Sequence, residues 1–534
     1  MPYLEPIRIN KISLENFQTI REKIEIPIRP LTFLFGPNSS GKSSILDALK
    51  LFKAVFKDGD IAIGDYFRRW AHRPKQTEIT GQSRIEKMTI EIEFSAWEFL
   101  IGGRHFLGLT ESLPNEYWTP TGLKDILSET EGPYHAKIEL IPSNFQSSDD
   151  GYVSLSSLAH VDITISANGL KLIRLFLDDD EDNPQVEFYP KAFGSMFVEL
   201  ATRHDVDINS PSIFKISCYS PVYGNGLEVY GLGNNEPYDR DLFAIANHIF
   251  RCFSEADFLP NIVSADRSTI PNHLLTCVFG GDAYVQGIPA RFLNSPIDSV
   301  ESIREMSSGT ILEICKSKFK EIQSLNEIDK RIDLNFESLH NFVNRSLSQH
   351  LFLDQGYQIS FDICEIRQPE NSSLPGTFAA LIVSYLIDNA GRKLTFQDVG
   401  TGISCVVPVI SALHKLHSFI QQPELHLHPA LQSALGDILV EQVNRENPGR
   451  YFIETHSDYL LLRCLRRIRE TSNGKYPAES KLRLKPEDIS ILYFEPQPDG
   501  VTSIKKIRAS TQGDFLDRWP RGFFEERGKD LFDE

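Results

Sequence analysis

The run Gly36-Pro37-Asn38-Ser39-Ser40-Gly41-Lys42-Ser43 spaces two glycines, a lysine and a serine as G-x-x-x-x-G-K-[ST]. Glycines at these positions let backbone N–H groups close around phosphate oxygens with no Cβ in the way. Lys42 then supplies the charge at the β- and γ-phosphates, and the Ser43 hydroxyl is a ligand for Mg²⁺. Asn38, Ser39, Ser40, Gly41, Lys42, Ser43 and Ser44 are the candidate nucleotide-binding residues. Such a loop needs a strand before it and a helix after it. Both are legible. Residues 31–35 read Leu-Thr-Phe-Leu-Phe, and Ile45, Leu46, Leu49, Phe52, Val55 and Phe56 fall at helical spacing. A chance glycine-rich turn would lack that frame.

Three later runs place polar residues at the ends of apolar segments. They are Asp398-Val399-Gly400-Thr401-Gly402-Ile403-Ser404, then 417–429 with Gln421-Gln422-Pro423-Glu424 and His426 and His428, then Ile453-Glu454-Thr455-His456-Ser457. Taken singly, each has a bland explanation. Two glycines before a helix make an entry turn, and one histidine at a strand end is usually structural. The i, i+2 pair His426 and His428 suggests a metal, but weakly.

The elements that must position these runs follow from periodicity. Ile7, Ile9, Ile12, Leu14, Ile24, Ile26 and Ile28 alternate as an edge hairpin, with a parity break between Ile9 and Ile12 that calls for a bulge or short turn. Strand signals recur at 88–94, 135–141, 161–165 and 214–219. Residues 239–255 and 296–352 read helical. Strands return at 357–365 and 393–396, followed by a helix over 403–417, a strand at 418–421, a helix over 429–445 and a strand at 451–454. The acidic run Asp178–Asp182 reads as a solvated loop.

Composition excludes several classes. Of 534 residues, 55 are Lys or Arg and 73 Asp or Glu, so the net charge of −18 disfavours a broad nucleic-acid surface or an anionic membrane. Local basic stretches at 463–469 and 505–508 are the exceptions, and a solvated helix face or strand end explains them as well. Seven scattered cysteines without a C-x-x-C pair argue against zinc or a disulfide framework and fit a reducing cytoplasm. The first ten residues do not read as a signal peptide, and no apolar run reaches the roughly 18 residues of a membrane span.

Taken together, the order and spacing of GPNSSGKSS, DVGTGIS, QQPELHLHP and ETHS resemble an ATP-binding-cassette type of AAA ATPase of the OLD/RecF/SMC-like branch. The tail, with Gly513-Asp514-Phe515 and Trp519-Pro520-Arg521-Gly522-Phe523-Phe524, is similar to that of a bacterial subgroup of these ATPases, and the whole resembles bacterial antiphage-defence ATPases of the Septu and retron type without a fused nuclease. The resemblance covers about 1–57 and 375–534. It implies an α/β fold, an ATPase head of mixed sheet and flanking helices. Its N-terminal lobe is 1–57 and its C-terminal lobe 351–470, with a tail at 471–534 packed on the head. Between the lobes lies a large insertion at 58–350, β-rich over 58–238 and mostly helical over 239–350.

The resemblance also implies roles. Residues 36–43 are the Walker A loop. Val399, Gly400, Thr401, Gly402 and Ser404 form the signature loop that acts in trans on a second copy. Gln421, Gln422 and Glu424 follow the Walker B strand, with Gln421 beside the metal, and His456 is the switch histidine. The cofactors are ATP and Mg²⁺. Two departures stand out. Val399 occupies the place of a common serine, and Gln421 and Gln422 stand where carboxylates are expected. Glutamine carries no charge and is a poor base. Three readings stay open: an engineered replacement of glutamate, natively slow hydrolysis, or Glu424 supplying the lost charge.

The 534 − 456 = 78 residues after His456 show no paired-carboxylate nuclease pattern. The expected function is therefore an ATPase that dimerises around ATP and controls a separate effector, a nuclease or toxin. The alternative is a nucleic-acid clamp of the RecF/SMC type in repair or chromosome maintenance.

Overall fold

The structure is a computed structural model. It describes residues 8–57, 87–95, 134–142, 158–167, 169–177, 185–189, 214–219, 230–231, 261–265, 273–279, 284–285, 288–289, parts of 310–318, 337–366, 377–445 and 448–520. The acidic run 178–182 and the residues Phe523 and Phe524 lie outside them. The chain divides into two compact units. One comprises Met1–Ile28, Gly36–Leu259 and Tyr493–Lys505, the other Arg29–Phe35, Pro260–Leu492 and Lys506–Glu534.

The first unit is built on strands β1 (Arg8–Glu15), β2 (Ile24–Pro27), β4 (Met88–Ser95), β5 (Tyr134–Pro142), β6 (Leu158–Ala167), β7 (Leu170–Leu177), β8 (Gln185–Phe188), β9 (Phe214–Tyr219) and β10 (Tyr230–Gly231). They form one antiparallel sheet in the order β10-β9-β8-β7-β6-β5-β4-β1-β2. Period-two alternation buries Ile12, Leu14, Ile90, Ile92, Ile138 and Ile163. The intervening residues pair by charge: Lys11 with Glu93 at 3.4 Å, Lys23 with Glu91 at 3.2 Å, and Arg174 with Asp162 at 2.6 Å. The register shifts between Ile9 and Lys11, so the parity break is a bulge. Strands from 1–57 and from 58–238 share this sheet. The described strands of the β-rich stretch thus extend the sheet that β1 and β2 begin.

The second unit holds β3 (Leu31–Phe35), β11 (Asn261–Val263), β18 (His417–Gln421) and β19 (Arg450–Glu454). They pair in parallel in the order β11-β18-β19-β3, and β20 (Ile489–Pro496) is the next neighbour of β3. β11, which lies within the 58–350 stretch, joins this sheet. Its three residues are too few for a periodic signal. A second sheet, ordered β12-β16-β15, contains β12 (His273–Phe279), β15 (Gln358–Ile366) and β16 (Thr377–Ile387), with β17 (Lys393–Leu394) on β16. A short hairpin pairs β13 (Tyr284–Val285) with β14 (Ile288–Pro289).

The helices are α1 (Ser44–Lys57) in the first unit and α2 (Leu339–Arg345), α3 (Thr401–His414), α4 (Pro429–Val443) and α5 (Asp458–Ser472) in the second. The helix read over 403–417 starts two residues earlier and stops three earlier. Gly400 is its N-cap, and the chain is already extended at Lys415. Likewise the strand read over 393–396 ends at Leu394, since Asp398 accepts hydrogen bonds from the backbone N–H and the hydroxyl of Thr395 and closes a turn.

The described tail packs on its own unit. Trp519 lies edge-on to Phe35 at 5.3 Å and to Phe515 at 5.1 Å. Gly513 is needed where it stands: its φ is +72°, and a Cβ there would come within 2.3 Å of the Leu465 carbonyl oxygen. The Arg469 guanidinium donates to the Gln512 carbonyl at 2.7 Å.

Candidate functional site

In the first unit the loop 36–43 links, through the chain, the end of β3 to the start of α1. Three residues in it have positive φ: Gly36 at 141°, Ser39 at 60° and Gly41 at 89°. A Cβ on Gly36 would meet the Phe494 carbonyl oxygen at 2.4 Å, and one on Gly41 the Thr19 hydroxyl at 2.5 Å. Both glycines are thus required by conformation and by space. The Lys42 ammonium is buried and donates to the carbonyls of Gly36 at 3.0 Å and Pro37 at 2.8 Å. A cation drawn into the mouth of its own loop fits an anionic ligand that would replace those carbonyls.

Two supports of this loop were not legible from its own sequence. The Thr502 hydroxyl donates to the Ser40 carbonyl at 2.9 Å and lies 2.8 Å from the Thr19 hydroxyl. Thr502 reaches the loop because 493–496 and 502–505 form a hairpin of the same unit. The other support is Gln18, in the tight turn that holds Asn16 and Gln18 at positive φ. It accepts from the Ser44 hydroxyl at 2.5 Å and donates to Asp47 at 2.9 Å. Ser44 therefore ties α1 to this turn.

In the second unit the ends of β18 and β19 lie side by side. Gln421 is in register with Glu454, and its amide donates to the Glu454 carboxylate at 3.1 Å. Gln422 takes a positive φ of 45° and donates its N–H to the Glu454 carbonyl at 2.7 Å. Glu424 grips the loop after β19. It accepts from the Thr455 hydroxyl at 2.7 Å and from the His456 N–H at 2.8 Å. The Ser457 hydroxyl donates to the Gln432 side chain at 2.6 Å and also caps α5. Thr455 and Ser457 are buried while His456 between them is exposed. The loop is held by its neighbours so that this one imidazole faces outward.

Glu424 thus acts as a clamp. Replacing it with alanine strands two donors that now share a carboxylate, and hydrogen bonds to charged groups contribute about 1.5–3 kcal/mol each. Glu424→Ala is expected to raise hydrogen exchange at His456 and Ser457 by an order of magnitude or more, read by mass spectrometry, with the β19 amides unchanged.

Other expectations are corrected. Thr401, Gly402 and Ser404 lie within α3 rather than in a loop, and Ser404 is fully buried, so it is not an outward donor. Gly402 packs where a Cβ would meet the His426 carbonyl oxygen at 2.8 Å, whereas Gly400 borders open space. Val399 and Thr401 flank Gly400. His428 caps α4, accepting from the Ala430 N–H at 3.3 Å, and no group of three metal-ligating side chains occurs among the described residues.

The basic stretches are committed as well. Arg463 and Arg467 pair with Asp437, and Arg466 and Arg467 with Glu470. Burial opposes the charge of Glu470, but hydrogen bonds from Lys475, Tyr476, Arg466 and Arg467 outweigh it and hold its carboxyl far below the usual range. Lys505 pairs with Glu495 and Arg508 with Asp517.

Comparison with known families agrees with the two loops. Residues 8–166 match a family described as "AAA ATPase domain". Residues 296–463 match one described as "AAA domain, putative AbiEii toxin, Type IV TA system". Both stretches are thus similar to AAA-domain families. Residues 484–533 match a family of unknown function. No curated protein matches.

Three solved structures are similar at low identity. The SmcHead bound to the C-winged helix domain of ScpA is 12% identical with a TM-score of 0.36, covering 94% of this chain and 98% of that one. The Smc head domain with an extended coiled coil, bound to the C-terminal domain of ScpA derived from Pyrococcus furiosus, is 12% identical with a TM-score of 0.37, covering 98% of each chain. The SMC head domain from Thermotoga maritima is 10% identical with a TM-score of 0.34, covering 94% of this chain and all of that one.

The donors present suit the nucleotide and Mg²⁺ that AAA ATPase domains use. The 36–43 loop offers a Cβ-free cradle and a buried ammonium, which suits polyphosphate. Within the second unit Gln421 and Glu454 offer hard oxygen donors side by side, and Mg²⁺ is commonly held by one or two carboxylates plus waters and phosphate oxygens.

Proposed function

We propose that this AAA-type ATPase binds Mg²⁺–ATP through 36–43, associates as a dimer or higher homo-oligomer on doing so, and thereby controls a separate effector protein, a nuclease or toxin of an antiphage defence system. The observation that carries the nucleotide reading is the buried Lys42 ammonium on the carbonyls of a loop that only glycines can form. When bound, the cation withdraws charge from the transferring phosphoryl group. The protein's part is to hold the phosphates with loop N–H groups and Lys42, and to present His456 on a loop that Glu424 and Ser457 have fixed.

Association in trans is supported by the start of α3. Gly400 borders open space and Thr401 is exposed, so backbone N–H groups there are accessible to a phosphate on a second copy. A protein partner is favoured over a nucleic-acid clamp because the arginines at 463–467 and the cations Lys505 and Arg508 are engaged in internal ion pairs. A family description that mentions a toxin–antitoxin system points the same way. A cytoplasmic location goes with this reading. Among the described residues no helix is long and apolar enough to cross a membrane.

The test is light scattering with and without ATPγS. The expected result is a nucleotide-dependent rise in mass that Thr401→Arg abolishes while ATPγS is still bound. A mass that ignores nucleotide would remove the dimerisation reading.

A further inference from the structure

The ends of four parallel strands define where chemistry is built in a sheet of this kind, since ligands bind outside the carboxyl ends of parallel strands. The last residues are Val263 on β11, Gln421 on β18, Glu454 on β19 and Phe35 on β3. Only one of the four is an acid. We infer that Glu454 is the carboxylate that holds the divalent cation needed for hydrolysis, and that Gln421 is its positioning residue. The expected charge is displaced by one strand, from the end of β18 to the end of β19.

Three observations support this. First, the Gln421 amide donates to the Glu454 carboxylate at 3.1 Å across an in-register parallel pair. That bond fixes which end of the amide faces Glu454 and directs the Gln421 carbonyl oxygen elsewhere, as a neutral acceptor. Second, the other nearby acid is committed. Glu424 spends both its oxygens on Thr455 and on the His456 N–H. Third, the pairing accounts for glutamine at 421. A glutamate there would set two carboxylates about 3 Å apart, a repulsion that the neutral amide avoids. Simple restoration by Gln421→Glu therefore adds a second acid next to an existing one.

This inference rests on the ATPase reading, and its test separates the two. Mn²⁺ replaces Mg²⁺ and is followed by electron paramagnetic resonance with the full chain and ATPγS. Fluorescent-nucleotide binding without metal is measured in parallel. Glu454→Gln is expected to weaken Mn²⁺ binding about tenfold or more, with metal-free nucleotide affinity unchanged. The exchanged pair Gln421→Glu with Glu454→Gln keeps one amide and one acid in reversed order, and is expected to recover most of the lost Mn²⁺ affinity. A purely structural role for Glu454 predicts a lower melting temperature and no change in Mn²⁺ affinity. Unchanged Mn²⁺ binding in Glu454→Gln, or an exchanged pair no better than that single variant, overturns the inference. A native chain that binds nucleotide but no Mn²⁺ also overturns it, whereas one that binds no nucleotide overturns the ATPase reading instead.

Discussion

Lys42→Ala is expected to lower affinity for a fluorescent ATP analogue by about a hundredfold or more, because hydrogen bonds to charged groups contribute about 1.5–3 kcal/mol each and an ammonium brings three donors. The Lys42 ammonium donates to the carbonyls of Gly36 and Pro37. Phosphate oxygens are better acceptors than those carbonyls, so the exchange favours binding. Lys42→Arg is expected to recover little, since a planar guanidinium does not fit a site that buries a compact ammonium. The backbone should survive either change. Its shape is set by the positive φ of Gly36 and Gly41 and by the Thr502 hydroxyl on the Ser40 carbonyl, which persist without the Lys42 ammonium. Circular dichroism that matches the native chain, together with lost binding, is the expected pair of results. Unchanged affinity would move the nucleotide elsewhere.

The second large effect is on stability. Trp519→Ala is expected to cost the second unit about 3–5 kcal/mol, the range for deleting a large buried aromatic. Trp519 is 5% exposed and edge-on to two rings, Phe35 and Phe515. Such aromatic pairs add about 0.5–1.5 kcal/mol beyond the area they bury. For a domain of this size the loss corresponds to a melting temperature lower by roughly 10 °C. Trp519→Phe keeps most of the packing and should lose less than half as much. Calorimetry checks both. A Trp519→Ala protein that melts within about 2 °C of the native chain would mean that the tail adds nothing to the unit.

Local chemistry was legible wherever it depends on a few consecutive residues. The 36–43 loop could be read because glycine, lysine and serine at fixed spacing have one common use, with a five-residue apolar strand before it and a 3.6 period over fourteen residues after it. The bulge near Ile9 could be read because it breaks a parity. What escaped depends on partners distant in sequence or on elements too short to show a period. The three-residue β11 is a strand only because β18 lies beside it. Ser44 and Ser404 have the right types at the right spacing, but one is tied to Gln18 and the other is buried in α3. The arginines at 463–467 form a basic stretch on paper, and folding cancels it with Asp437 and Glu470. Glu454 stands one residue from a threonine and two from a histidine that drew more notice. Its importance arises from register, because two parallel strands bring its carboxylate to the Gln421 amide, and no local pattern encodes that pairing.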